Sequence, residues 1–127
     1  MSNDPYNEIV REYFTAARHA GEIADSPSGY FEDQGLRLRF TAAIDDERIK
    51  SMRFAAWGCP HVIAAAEAVC RYFEGQAVAE LDKFPTAQIM VDLAVPVEKT
   101  GRILVIEDTV RSLRAAIHDR VASNKQD

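Results

Sequence analysis

The sequence predicts an α+β fold, a small antiparallel sheet built on a β-hairpin with N-terminal, central and long C-terminal helices packed on it. Three patterns carry this. Two runs alternate apolar and polar side chains on either side of an acidic turn, as half-buried strands do. The second run passes straight into helical spacing at Cys59-Pro60. The last quarter of the 127 residues holds a stripe of aliphatic side chains with a helical period.

From the N-terminus, Asp4 followed by Pro5 marks a helix start, a side-chain acceptor ahead of a residue with preset φ. Tyr6, Ile9, Val10, Tyr13, Phe14 and Ala17 then recur at helical spacing, with Gly21 as a left-handed cap. Residues 22–35, rich in Asp, Ser, Pro and Gly, read as a long connection of the kind that often carries function. Leu36, Leu38 and Phe40 alternate with Arg37, Arg39 and Thr41. Asp45-Asp46-Glu47 turn the chain, and Met52, Phe54 and Ala56 alternate with Ser51, Arg53 and Ala55. The helix entered at Cys59 carries Val62, Ile63, Ala66, Val69, Cys70 and Phe73 and ends at Gly75. Thr86 is expected to cap a short helix that stops before Pro96, because the residue ahead of a proline is pushed out of the α region. Beyond Gly101, Ile103, Ile106, Val110, Leu113, Ile117 and Val121 form the long stripe, with Arg111, Arg114, His118 and Arg120 towards solvent. Residues 1–127 read as one domain, fraying over 1–4 and 123–127, with no internal repeat.

Composition narrows the function. Nearly half the residues are apolar and the net charge is −5, enough for one core and unlike a phosphate-neutralising surface. We therefore expect a protein partner, not nucleic acid and not a membrane, since no stretch is long and apolar enough to span one. Two cysteines and no signal-like N-terminus point to a reducing compartment, the cytoplasm.

Chemistry concentrates at Cys59. Pro60 suits the first helical position, which places Cys59 at the N-cap, where unpaired N–H groups and the helix dipole favour a thiolate. Gly58 permits close approach, and His61 adds a nitrogen ligand or proton carrier two residues on. Such a thiolate suits soft-metal binding or sulfur transfer, with zinc or iron as the metals and Cys59, Asp33, Glu32 and His61 as candidate ligands. Each has a plainer explanation: a buried free thiol, solvated loop carboxylates, an ordinary histidine. Cys70 falls on the apolar stripe and reads as core, about 16 Å from Cys59 along the helix. His19 and His118 read as solvated. Trp57 is a candidate anchor for a partner.

The stretch Arg53-Phe54-Ala55-Ala56-Trp57-Gly58-Cys59-Pro60-His61-Val62-Ile63-Ala64-Ala65-Ala66 resembles the R-F-x-x-[YW]-G-C-x-x-x-I-A-x-S segment of the iron–sulfur cluster assembly scaffold family, the IscU type or NifU N-terminal domain. A second match runs from Ile103-Leu104 through Glu107-Asp108 to Ala115-Ala116-Ile117. The resemblance extends across nearly the whole chain. It implies a scaffold on which a transient [2Fe–2S] cluster is built by three cysteines, an aspartate and a histidine after a cysteine desulfurase delivers sulfur. Of the three cysteines only the middle one carries over, as Cys59. The first falls near Glu32-Asp33-Gln34 and the third on Thr100-Gly101, where there is no thiol. The family's chaperone-recognition motif L-P-P-V-K reads Ala94-Val95-Pro96-Val97-Glu98.

One thiolate does not hold a [2Fe–2S] cluster, which normally takes four Cys or His ligands. The resemblance and the residues together imply a scaffold-like accessory protein, not an enzyme, that docks a desulfurase or another assembly protein and accepts sulfur or metal on Cys59. Two alternatives stand beside it. A single-cysteine thiol redox protein would use Cys59-Pro60-His61, although Val62 occupies the place of a resolving cysteine. A pure interaction module would leave Cys59 inert and bind through Trp57. Self-association into a homo-oligomer is compatible with each.

Overall fold

A computed structural model describes residues 7–33 and 35–124, with side chains as far as residue 120. The elements are α1 (Glu8–Thr15), β1 (Ser28–Asp33), β2 (Leu36–Asp45), β3 (Arg48–Trp57), α2 (Pro60–Phe73), α3 (Thr86–Asp92) and α4 (Thr100–Asn124). Short 3-10 turns at Val78–Asp82 and Val97–Lys99 connect the later helices. The strands form an antiparallel sheet in the order β1-β2-β3, giving the expected α+β arrangement.

The hairpin follows the alternation in the sequence. Leu38, Phe40, Ala42, Ile49, Met52 and Phe54 are buried on the inner face. Asp46 and Glu47 make the two-residue turn, both at positive φ (51° and 63°), the twist that a tight hairpin requires. α2 packs on β3, and α4 lies across β1 and β2. Their stripes (Val62, Ala66, Val69 and Phe73; Ile103, Ile106, Val110, Leu113 and Ile117) join the inner face in one core. Each such aliphatic or aromatic side chain contributes about 1.5–3 kcal/mol by leaving water.

The largest departure from expectation is β1. Residues 28–33 are not part of a loop: they pair with β2 from Ser28↔Thr41 to Asp33↔Leu36. One inward position of this strand is Gly29, not an aliphatic residue, so the apolar alternation that announces a strand is missing. The glycine is there because α4 crosses at backbone contact. A Cβ on Gly29 would stand 2.5 Å from the amide nitrogen of Leu113 and inside contact distance of the Thr109 carbonyl.

The first helix is also shorter than its periodicity suggests. Asp4, Pro5 and Tyr6 lie outside the described residues. α1 is capped by Asn7, whose side-chain oxygen accepts the Val10 N–H at 2.8 Å, and it stops at Thr15. Gly21 is not its cap. Residues 19–21 leave to line the free edge of β3, where Phe54 N–H donates to the His19 carbonyl (2.9 Å) and Gly21 N–H to the Phe54 carbonyl (2.7 Å). Gly75 and Gln76 bond Ile49 at the other end of the same edge, which leaves little of β3 open to a foreign strand. Thr86 opens α3 as its first residue, with Pro85 at the cap position, instead of capping it.

Candidate functional site

Three loops meet at one end of the sheet. β3 ends at Trp57, opposite Arg37, which in turn faces Glu32 on β1. The turn from β1 to β2 therefore lies beside the junction of β3 with α2. Gly58 packs closely there: a Cβ would come 3.0 Å from Leu36 Cδ1, which would have to shift by a few tenths of an ångström. From the other side, Lys99, the last residue of the 3-10 turn before α4, brings its Nζ to 3.4 Å from His61 Nδ1 in the first turn of α2.

Cys59 occupies the N-cap of α2 with Pro60 at the first helical position, as its spacing predicts. Its carbonyl accepts the Val62 and Ile63 N–H groups (3.0 and 3.2 Å), while its side chain makes no capping bond. The thiol is half-buried. Cys70 is wholly buried, and burial, with Glu67 and Glu74 adding to it, pushes its thiol pKa well up. A thiol-directed reagent such as iodoacetamide is expected to modify Cys59 under native conditions and Cys70 only after unfolding, because the thiolate is the reactive form. Peptide mapping checks this; equal rates at the two sites would refute it.

The candidate ligands around Cys59 do not assemble. Glu32 projects from the outer face of the sheet, where the Tyr30 hydroxyl donates to it and Arg37 Nε lies 3.4 Å away. Asp33 is exposed at the end of β1. His61 is buried towards Lys99; burial, then the Lys99 and Arg102 charges, holds its pKa below the usual imidazole value. Among the described residues no three His, Cys, Asp or Glu side chains form a group able to hold a metal ion. The set Cys59, Asp33, Glu32 and His61 is therefore not a preformed centre. Gln34 lies outside the described residues. Thr100 bonds back to the Val97 carbonyl (2.6 Å), and a Cβ on Gly101 would meet nothing within 4 Å.

Two features went unread in the sequence. His19 is not solvated. Its Nδ1 lies 2.7 Å from Glu67, its Nε2 3.3 Å from Glu74, and its backbone N–H donates to Glu67 at 2.9 Å. Glu67 also accepts from Arg71 (2.6 Å), and Glu74 from Arg53 and the Met52 N–H (both 2.9 Å). The available signal was Glu67 itself, a charge one position from Ala66 within the apolar stripe of α2. The other is Lys99, which reaches His61 only because the chain folds back 38 residues later.

Comparison with known proteins settles the family. Residues 5–126 match the model of the NifU-like N-terminal domain. The chain belongs to this family. It is 31% identical over 96 residues to a bifunctional NifU/MnmA protein of Rubrobacter xylanophilus, covering 72% of this chain and 20% of that one. It is 31% identical over 85 residues to the iron–sulfur cluster assembly scaffold protein IscU of Rickettsia prowazekii, covering 65% and 63%. It thus spans a fifth of the first relative and just under two thirds of the second. The fold agrees with a putative scaffold protein for the SUF system from Fervidobacterium islandicum (TM-score 0.58, 17% identity, 87% of this chain and 95% of that one). It agrees equally with a NifU-like N-terminal protein from Brucella abortus (TM-score 0.59, 12% identity, 94% of each). This family member has one half-buried thiol, Cys59, at the start of α2, and its other cysteine, Cys70, lies in the core. No helix among its described residues is long and apolar enough to cross a membrane.

Proposed function

We propose that the protein is a scaffold-like accessory of cytoplasmic iron–sulfur cluster assembly, without turnover of its own. It accepts sulfur from a cysteine desulfurase, or a single zinc or iron ion, on Cys59, and does not hold a [2Fe–2S] cluster alone. What carries this is the company that Cys59 keeps. A half-buried thiol stands at the start of α2, and the described residues of the loops that meet there hold no second thiol. In the transfer, the Cys59 thiolate attacks the terminal sulfur of a donor persulfide. The donor S–S bond breaks, the donor leaves as a thiolate, and Cys59 carries the new S–S bond. No net oxidant or reductant is consumed.

The test is mass spectrometry after anaerobic incubation with a desulfurase and cysteine. One added sulfur is expected on the peptide containing Cys59 and none on that containing Cys70, and Cys59→Ser should abolish it. Sulfur on Cys70, or retained in Cys59→Ser, would overturn the assignment. With iron supplied as well, the purified protein should show no persistent visible chromophore. Wild-type protein that carries iron and acid-labile sulfide through gel filtration would contradict the single-thiol reading.

A further inference from the structure

At the end of the hairpin away from Cys59, three elements wall a cleft of about 450 Å³: the β2–β3 turn, the start of the Val78–Asp82 turn and the second half of α4. That volume is typical of small-molecule sites. Backbone bonds hold two of its walls together, since Val78 N–H donates to the Glu47 carbonyl (2.9 Å) and Ile49 N–H to that of Gln76 (2.8 Å). Its aliphatic lining comes from Ile44, Val78 and Ile117, of which the last two are buried.

The charges that line this cleft do not pair with one another. Asp46 and Glu47 stand on the turn, both at positive φ, while Arg114 and His118 belong to the α4 wall. Among the described residues neither Asp46 nor Glu47 has an ion-pair partner. Arg114 is engaged by Asp82, whose carboxylate lies 3.6 Å from Nε, and that buried Nε–H has no hydrogen-bond acceptor. Arg48, next to the two acids, donates only to the Gly75 carbonyl (3.3 Å). Unpaired carboxylates on one wall and an under-used guanidinium on another, around one apolar space, are complementary to a third body that carries both charges.

We propose that this cleft binds a free α-amino acid with an aliphatic side chain. Its ammonium lies at Asp46 and Glu47, its carboxylate at Arg114, and its side chain against Ile44, Val78 and Ile117. The two carboxylates select against a simple anion, and Arg48 with Arg114 against a simple cation, so a zwitterion alone satisfies both walls. The site is at the opposite end of the sheet from Cys59, and the inference does not depend on the acceptor function proposed above.

Amide chemical shifts of the isotope-labelled full chain, titrated with L-leucine, read the site directly. Saturable shifts are expected at residues 46–48 and 77–79 and around Arg114, with Gly58 and Cys59 unmoved. Two half-ligands separate the charges: isocaproate lacks the ammonium and isoamylamine the carboxylate. Each should bind about tenfold more weakly than leucine, the loss of one charge-assisted contact. Asp46→Asn combined with Glu47→Gln keeps the shape of the turn, since Asn tolerates positive φ. This variant should bind leucine about tenfold more weakly but isocaproate no worse than wild type does, because the lost charges attract only the ammonium. Arg111→Gln, outside the cleft, should leave leucine binding unchanged. Absence of saturable shifts with leucine, shifts centred elsewhere, or equal affinity for leucine and either half-ligand would overturn the proposal. The half-ligand comparison uses wild-type protein and decides the matter even if the double variant does not fold.

Discussion

Glu67→Ala is expected to lower the free energy of unfolding by about 3 kcal/mol, at the lower edge of the range for breaking a buried charge pair. Glu67 has no exposed side-chain surface and accepts three bonds, from the His19 N–H, the His19 ring and Arg71. Removing it strands these donors between α2 and the segment that lines β3, and the desolvation cost of unpaired groups exceeds what the pairs themselves contribute. Glu67→Gln keeps the shape and one acceptor oxygen and should cost about half as much. Chemical denaturation measures both. A midpoint for Glu67→Ala no lower than that of Glu80→Ala, which loses a solvent-exposed pair with Lys83, would show that the network carries no stability. Its second carboxylate gives a pH signature. Burial raises the Glu74 pKa, but the Met52 N–H, Arg53 and His19 outweigh it, and the net shift is below the ordinary value of 4.5. A carboxylate depressed in the folded state contributes stability that is complete above its unfolded pKa and lost as pH falls through the folded one. Glu74→Gln should therefore flatten the stability profile below pH 4.5 and leave its slope near neutrality unchanged.

Gly29→Val should cost about 3 kcal/mol or more, at the upper end of overpacking penalties. Strand propensity argues the other way, since replacing a mid-strand glycine ordinarily gains about 0.5–1 kcal/mol. Packing wins because the neighbours are backbone atoms of α4, the Thr109 carbonyl and the Leu113 amide, which no rotamer change can move aside. Helix and sheet would have to separate along the contact that buries Val110 and Leu113. Gly29→Ala should already destabilise. A thermal melt in which Gly29→Ala is as stable as wild type would mean that α4 does not approach β1 this closely.

How much was written in the chain is best judged element by element. The hairpin, the passage of β3 into α2 at Cys59-Pro60, and α4 were all legible, because each has one buried and one wet face and the period of that alternation is local information. The core position of Cys70 followed from the same stripe. β1 was hidden because Gly29, which its contact with α4 demands, looks like a loop residue until α4 is in place. α1 was overread: Ile9 and Phe14 sit on its apolar spacing but remain partly exposed, and only the edge of β3 determines where the chain leaves the helix.

The candidate site divides along the same line. By itself the sequence determined that Cys59 stands at a helix start and that Cys70 is core, since caps and stripes depend on neighbours in the chain. Only the tertiary structure decided that Glu32 turns outward to Tyr30 and Arg37, that His61 is buried against Lys99, and that His19 is clamped between two glutamates. Those outcomes depend on which face of a strand or helix meets a residue tens of positions away. The burial and charge that each side chain then experiences are set by the assembled core.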